Sequence, residues 1–190
     1  MKKIAVYCGA STGHNPIYKR AATQLADWLV SHNVELVYGG GGVGLMGVIS
    51  KRMLSRGGKV HGVMPKELVE RGAELVELAR LSDLTVVKNM SARKEEMMSL
   101  SDGCIALPGG PGTLEEMAQA FSWSLIGDNN NPCAFYNVNH YYDPLATMFD
   151  QMTINGFLSK ADRNKLLFSD SLDEIHQFMA NYVPPKIRKY

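Results

Sequence analysis

A doubly wound α/β sheet within a single domain is the fold class this sequence predicts, and three observations point to it. Short apolar runs alternate with helical periods along the chain, which implies parallel strands covered by helices on both faces. Two of the strand-to-helix turns are rich in glycine, at Gly39 to Gly47 and at Pro108 to Gly112. A length of 190 residues with 45% hydrophobic content suits one substantial core rather than two.

Ile4 to Tyr7 reads as the first strand, running into the small-residue loop Cys8 to Gly13. Asn15 caps a helix with Pro16 at its first position; Ala22, Leu25, Ala26, Leu29 and Val30 form its buried stripe, and it ends near His32 and Asn33. Val34 to Tyr38 is the second strand, and the first glycine run opens the second helix, which stops at Gly57 and Gly58. Val60 to Val63 is the third strand. Lys66 to Leu81 mixes charges and leucines without a clear period and predicts a short helix or a loop. Leu84 to Val87 is a β-branched strand, and Ser91 is the expected cap of a helix carrying Arg93 and Lys94 in its first turn. Cations oppose the dipole there, so either a bound anion compensates them or they form a solvated face. Gly103 to Leu107 is the central strand. Beyond the polar loop Asp128 to Pro132, Cys133 to Tyr136 is a further strand, and Asp143 with Pro144 starts a helix with Leu145, Met148, Phe149 and Met152 inward. Leu166 to Phe168 and Leu172 to Tyr182 read as the last strand and helix, before Pro184, Pro185 and a basic tail.

Composition narrows the partners. A formal net charge of +1 leaves no basic footprint for nucleic acid, and no charge run points to a membrane surface. Small molecules are the better class. Cys8, Cys104 and Cys133 are odd in number and form no C-x-x-C pair, so neither a disulfide framework nor a zinc site is expected. The five histidines lack metal-ligand spacing, and Ser101 and Ser124 sit in no G-x-S-x-G elbow. Met1-Lys2-Lys3 leads straight into a strand without a long apolar region, and no run approaches spanning length, so the expected location is a reducing cytoplasm.

The chemistry concentrates in Ala106 to Met117, where a buried strand stops and a helix starts. Pro108 to Gly112 is a turn with almost no side chains, and Thr113 with Glu116 has capping-box spacing. An anion over Gly109, Gly110, Pro111, Gly112 and Thr113 would meet bare amides and the positive end of a helix dipole. The same residues also suit a plain capped turn. Leu114, Ala118, Phe121 and Leu125 make one apolar stripe, while Glu116 and Trp123 share another face. In the earlier turn, Gly42, Gly44 and Gly47 satisfy G-x-G-x-x-G. They follow the second strand, and the third strand ends in Met64-Pro65 without an acidic residue for a ribose, which weakens a dinucleotide reading. Close packing of helix on strand explains them equally, as does a crevice shared by both glycine turns at the strands' carboxyl ends.

These residues together resemble the lonely guy family of cytokinin riboside 5'-monophosphate phosphoribohydrolases, over nearly the whole chain. The family's P-G-G-x-G-T-x-x-E is matched by Pro108, Gly109, Gly110, Gly112, Thr113 and Glu116; its methionine followed by Arg-Lys by Met90, Arg93 and Lys94; its early glycine loop by Gly39 to Gly47, with Gly41, Gly42, Gly44 and Met46. The sequence departs from it at Ser91, where a histidine is frequent, at Pro111, commonly aromatic, and at Ser122, often threonine. These positions bear on which base is taken more than on the reaction. The resemblance implies a homodimer that hydrolyses a nucleoside 5'-monophosphate, from a cytokinin or adenine, to free base and ribose 5-phosphate. No metal or redox cofactor is implied.

Breaking the base-sugar bond develops oxocarbenium character on the ribose, which a carboxylate near the anomeric carbon stabilises while it orients or deprotonates water. Glu116 is the expected catalytic carboxylate and Arg93 its catalytic partner, pairing with phosphate or the departing base. Glu115 is placed on ribose hydroxyls. Lys94, the Gly109 to Leu114 segment and Ser122 complete the expected substrate contacts. A nucleotide or molybdenum-cofactor carrier of the same fold stays open as the alternative, needing the glycine loops but not the acid and arginine together.

Overall fold

The structure is a computed structural model that describes residues 1–71 and 80–186. Seven parallel strands form one sheet: β1 (Lys3–Tyr7), β2 (Glu35–Tyr38), β3 (Val60–Pro65), β4 (Asp83–Val87), β5 (Cys104–Ala106), β6 (Cys133–Tyr136) and β7 (Leu166–Ser169). Their order across the sheet is β4-β3-β2-β1-β5-β6-β7. The chain therefore winds outward in one direction from β1, returns to its other side at β5, and winds outward again. This is the doubly wound arrangement expected, and its reversal between β1 and β5 opens a crevice at their carboxyl ends.

Alternation along the inner strands divides the core between the two faces. Ile4, Val6, Leu36, Tyr38 and Ile105 face one side, where α1 (Pro16–Ser31) and α2 (Gly44–Ser55) cover them. Ala5, Tyr7, Val37, Cys104 and Ala106 face the other, toward α4 (Met90–Ser99) and α5 (Pro111–Ile126). Because both faces are covered, Ile4 to Tyr7 is an unbroken buried run rather than an alternating one. Leu25 and Leu29 of α1 are fully buried, each contributing roughly 2 kcal/mol of apolar transfer. Asn15 caps α1 as expected, accepting from the Ile17 N–H at 3.0 Å. The remaining helices among the described residues are α3 (Lys66–Glu70), α6 (Asp143–Ile154), α7 (Lys160–Arg163), α8 (Leu172–Ala180) and a 3-10 turn at Val138–His140.

Several local expectations change. The third strand runs on through Met64 and Pro65, paired with Val86 and Val87 of β4. The expected element over Lys66 to Leu81 begins as α3, and residues 72–79 of it lie outside the described residues, as do residues 187–190 of the basic tail. Met148, expected inward, is exposed, because α6 turns Leu145, Phe149 and Met152 to the core. The stripe on α5 is also out of phase. Thr113, Met117, Ala120, Phe121 and Ser124 are its buried residues, while Leu114 and Ala118 face outward. The register follows from the start of the helix. Pro111 takes the first helical position and Gly110 the cap, three residues before Thr113, so the capping box does not form.

Candidate functional site

The crevice at the switch point holds a cleft of about 310 Å³. Its floor comes from the end of β1, with Tyr7, Cys8 and Gly9; one wall is Met90, Arg93, Lys94 and Met97 of α4, and the other is the start of α5. The chain brings α4 and α5 together because Met97, Met98, Met117, Ala120 and Phe121 share one apolar cluster above the sheet. Two charged pairs face each other across that seam.

Arg93 Nη1 lies 3.6 Å from Glu116 Oε1, with both side chains about one-tenth exposed. The Arg93 Nε–H donates to the Val63 carbonyl at 3.2 Å, which fixes the guanidinium against the end of β3. Lys94 Nζ donates to Glu115 Oε1 at 2.6 Å; that lysine is buried, whereas Glu115 sits exposed at the rim. Burial pushes the Glu116 carboxyl above its ordinary range, and Arg93 pulls the other way, assisted by Lys94 against the repulsion of Glu115. A carboxylate whose pKa burial raises is a stronger base than a free one, which suits taking a proton from water. Burial and then the Glu116 charge hold the Cys8 thiol far above its ordinary value, so this cysteine is a poor nucleophile.

Ser91 was expected to cap the helix that carries this pair, but the cap is Asn89, whose side chain accepts from the Ala92 N–H at 2.9 Å. Arg93 is consequently the fourth helical residue and Lys94 the fifth, and both turn inward to the cleft instead of lying on a solvated face. Thr113 is buried at the third position of α5, its hydroxyl packed against Gly109, where an added Cβ would lie 2.1 Å from Oγ1. The loop is anchored from the far side of the sheet's end. Tyr141 donates to the Gly109 carbonyl at 2.6 Å and Tyr142 to the Leu107 carbonyl at 2.8 Å.

Gly110, Pro111, Gly112, Thr113, Glu115, Glu116, Arg93, Lys94 and Met46 therefore meet in one cleft. Gly109 opens onto an adjoining hollow lined by Gly9 to Gly13, Tyr18, Leu45 and Tyr141. Leu114 and Ser122 are exposed on the outer face of α5 and do not line the cleft of this chain. Nor do Gly41, Gly42 and Gly44, the last of which is held to glycine by packing. A Cβ on Gly44 would overlap the Ala10 backbone at 2.2 Å, and the Gly42 carbonyl lies 2.0 Å from where Gly47 would carry one. Gly44 also adopts a left-handed backbone at φ +59°. The two glycine turns do share one crevice, through Gly39 and Met46. Sequence reasoning missed Tyr7, Tyr141 and Gly39; a strand-end tyrosine or one glycine in a run carries no spacing signal.

With this geometry in view, comparison with known proteins is direct. The family model described as "Possible lysine decarboxylase" matches residues 46–179. Arabidopsis thaliana cytokinin riboside 5'-monophosphate phosphoribohydrolase LOG1 is 40% identical over 183 residues, 96% of this chain and 84% of the relative. Its Arabidopsis counterpart LOG2 is 39% identical over the same shares. Among solved structures, a molybdenum cofactor carrier protein from Chlamydomonas reinhardtii superposes with a TM-score of 0.68 at 18% identity, covering 95% of this chain and 99% of that one. That likeness speaks for the fold alone. The match over most of the chain, joined to identity near two-fifths with the phosphoribohydrolases, places this chain in the LOG family.

Proposed function

We propose that the chain is an N-glycosyl hydrolase acting on a nucleoside 5'-monophosphate, a cytokinin riboside monophosphate or AMP, to give free base and ribose 5-phosphate. The observation that carries the reading is the buried Arg93 and Glu116 pair beside the glycine-rich start of α5. In the reaction the C1'–N bond breaks and its electron pair leaves with the base. Positive charge then spreads over C1' and the ring oxygen, and Glu116 stabilises it; the same carboxylate takes a proton from the water whose oxygen bonds to C1'. Arg93 opposes the upward push of burial on that carboxyl, and its charge stabilises an anionic phosphate or departing base beside it. The first-turn amides of α5, which a helix leaves unpaired, suit the phosphate or the ribose. Glu115, tethered to Lys94 at the rim, is assigned the ribose hydroxyls in this reading.

The carrier reading needs the glycine loops alone. It gives no reason to bury an arginine against a carboxylate between the walls of the cleft, since such a pair carries a desolvation cost. Among the described residues no helix is long and apolar enough to cross a membrane. Cys8, Cys104 and Cys133 are free and buried, which suits a reducing cytoplasm. A second copy of the chain covers the outward face of α5: Leu114, Ala118 and Ser122 recur there at helical spacing, beside half-buried Leu125 and exposed Ile126. A solution mass near 21.0 kDa, that of one chain, would remove this homodimer from the account.

Hydrolysis is tested by comparing kcat/KM for a nucleoside 5'-monophosphate with that for its bare nucleoside. Binding energy from the remote phosphate lowers the barrier at the sugar, so the monophosphate should be favoured by at least about 10²-fold. Equal efficiency on the two would remove the phosphate cradle from the account, and no base release from any monophosphate would favour the carrier.

A further inference from the structure

Gly39 stands immediately after β2 and is buried, and its glycine has an unusual cause. The left-handed glycines of this run are Gly40, at φ +76°, and Gly44, so backbone conformation does not demand glycine at 39. What a side chain would meet there is the Arg93 guanidinium: an added Cβ would lie 1.4 Å from Nη2, 2.6 Å from Cζ and 3.1 Å from Nε. These are the three nearest contacts, and all belong to Arg93. The Nη2 tip of the guanidinium thus fills the space a Gly39 side chain would take, while its Nε–H reaches the Val63 carbonyl and Nη1 reaches toward Glu116. β2 and β3 are neighbours in the sheet, with Tyr38 opposite Gly62, so the ends of both strands converge on one side chain.

We propose that Gly39 is a positioning residue, the seat that sets where the Arg93 guanidinium stands relative to Glu116. In its kinetic consequence this rests on the hydrolase reading above; in its geometry it does not. The conflict created by Gly39→Ala falls on the end of a flexible side chain rather than on backbone. The variant is accommodated by moving the guanidinium off its seat, and the fold is kept. A displacement of about 1 Å in a catalytic group is enough to cost up to roughly 10²-fold in rate.

Two readouts test this, each made in Gly39→Ala, Arg93→Ala and the double variant. The first needs no turnover: the Glu116 side-chain carboxyl is titrated by ¹³C NMR. Arg93 opposes the upward push of burial on that carboxyl, so displacing it should raise the midpoint further; Lys94, Glu115, Tyr7 and Cys8, which share the site, are unaltered. Gly39→Ala should move the midpoint upward in the direction of Arg93→Ala and add nothing on top of it. The second is steady-state kinetics. Gly39→Ala should lower kcat about tenfold or more with a smaller change in KM, and should have no effect in the Arg93→Ala background. A wild-type Glu116 midpoint in Gly39→Ala, or a full independent loss in the double variant, would overturn the seat. Should Arg93→Ala itself keep wild-type turnover, the hydrolase role of Arg93 fails, while the titration still decides whether Gly39 positions it.

Discussion

Glu116→Gln should lower turnover of a nucleoside 5'-monophosphate by roughly 10²-fold or more while the protein still folds. The two halves of that expectation have separate causes. Activity falls because the amide neither stabilises positive charge on the ribose nor accepts a proton from water. Stability holds because Glu116 does not cap α5: Gly110 occupies the cap, and no side-chain cap bond is present there. The linkage sign favours the variant further. A carboxyl held above its ordinary value by burial contributes stability below the unfolded-state pKa and loses it as pH rises through the folded value. Glutamine does not carry that cost of a buried ionised group, but it leaves the buried Arg93 charge without its carboxylate partner, so the two effects on the melting temperature oppose each other. Glu115→Gln is the control. Glu115 is exposed at the rim, so its loss should act on KM more than on kcat. A collapse in Glu115→Gln alone would reassign the catalytic carboxylate.

Arg93→Ala should cost about 10²-fold or more in kcat, on the scale of removing one preorganised charge from a transition-state site. It should also move the acid limb of the pH profile. Wild-type turnover requires ionised Glu116 and falls as pH drops through that group's raised pKa. Without Arg93 the burial effect is less opposed, and the limb shifts to higher pH. Steady-state rates across pH check both parts. An unshifted limb would show that Arg93 does not hold Glu116, and unchanged kcat would return it to a structural charge.

The sequence made the layered fold legible because strand and helix periods differ, and because buried parallel strands such as Ile4 to Tyr7 leave continuous apolar runs. It also pointed to Arg93, Lys94, Glu115 and Glu116, through a cation-bearing helix start and a glycine turn before a second helix. What it misplaced was phase. Thr113 and Ser91 are good caps by residue type, but the caps are Gly110, three residues earlier with Pro111 behind it, and Asn89, two residues earlier. On α5 that shift turned the apolar stripe of Leu114 and Ala118 outward and brought Thr113 and Met117 in. The glycines divide for a related reason. Gly44 and Gly47 satisfy a phosphate-loop pattern yet serve close packing, whereas Gly39, first in the run, touches the arginine. A glycine's function is the identity of the atom that would collide with its missing Cβ, and that atom belongs to a residue far along the chain.

The most direct test is product analysis of wild type beside Glu116→Gln on the same nucleoside 5'-monophosphate. Wild type should release free base and ribose 5-phosphate in equal amounts, and the folded variant should release neither at more than about one-hundredth of that rate. Base release without ribose 5-phosphate, or equal release by both proteins, would contradict a hydrolysis carried by the Arg93 and Glu116 pair.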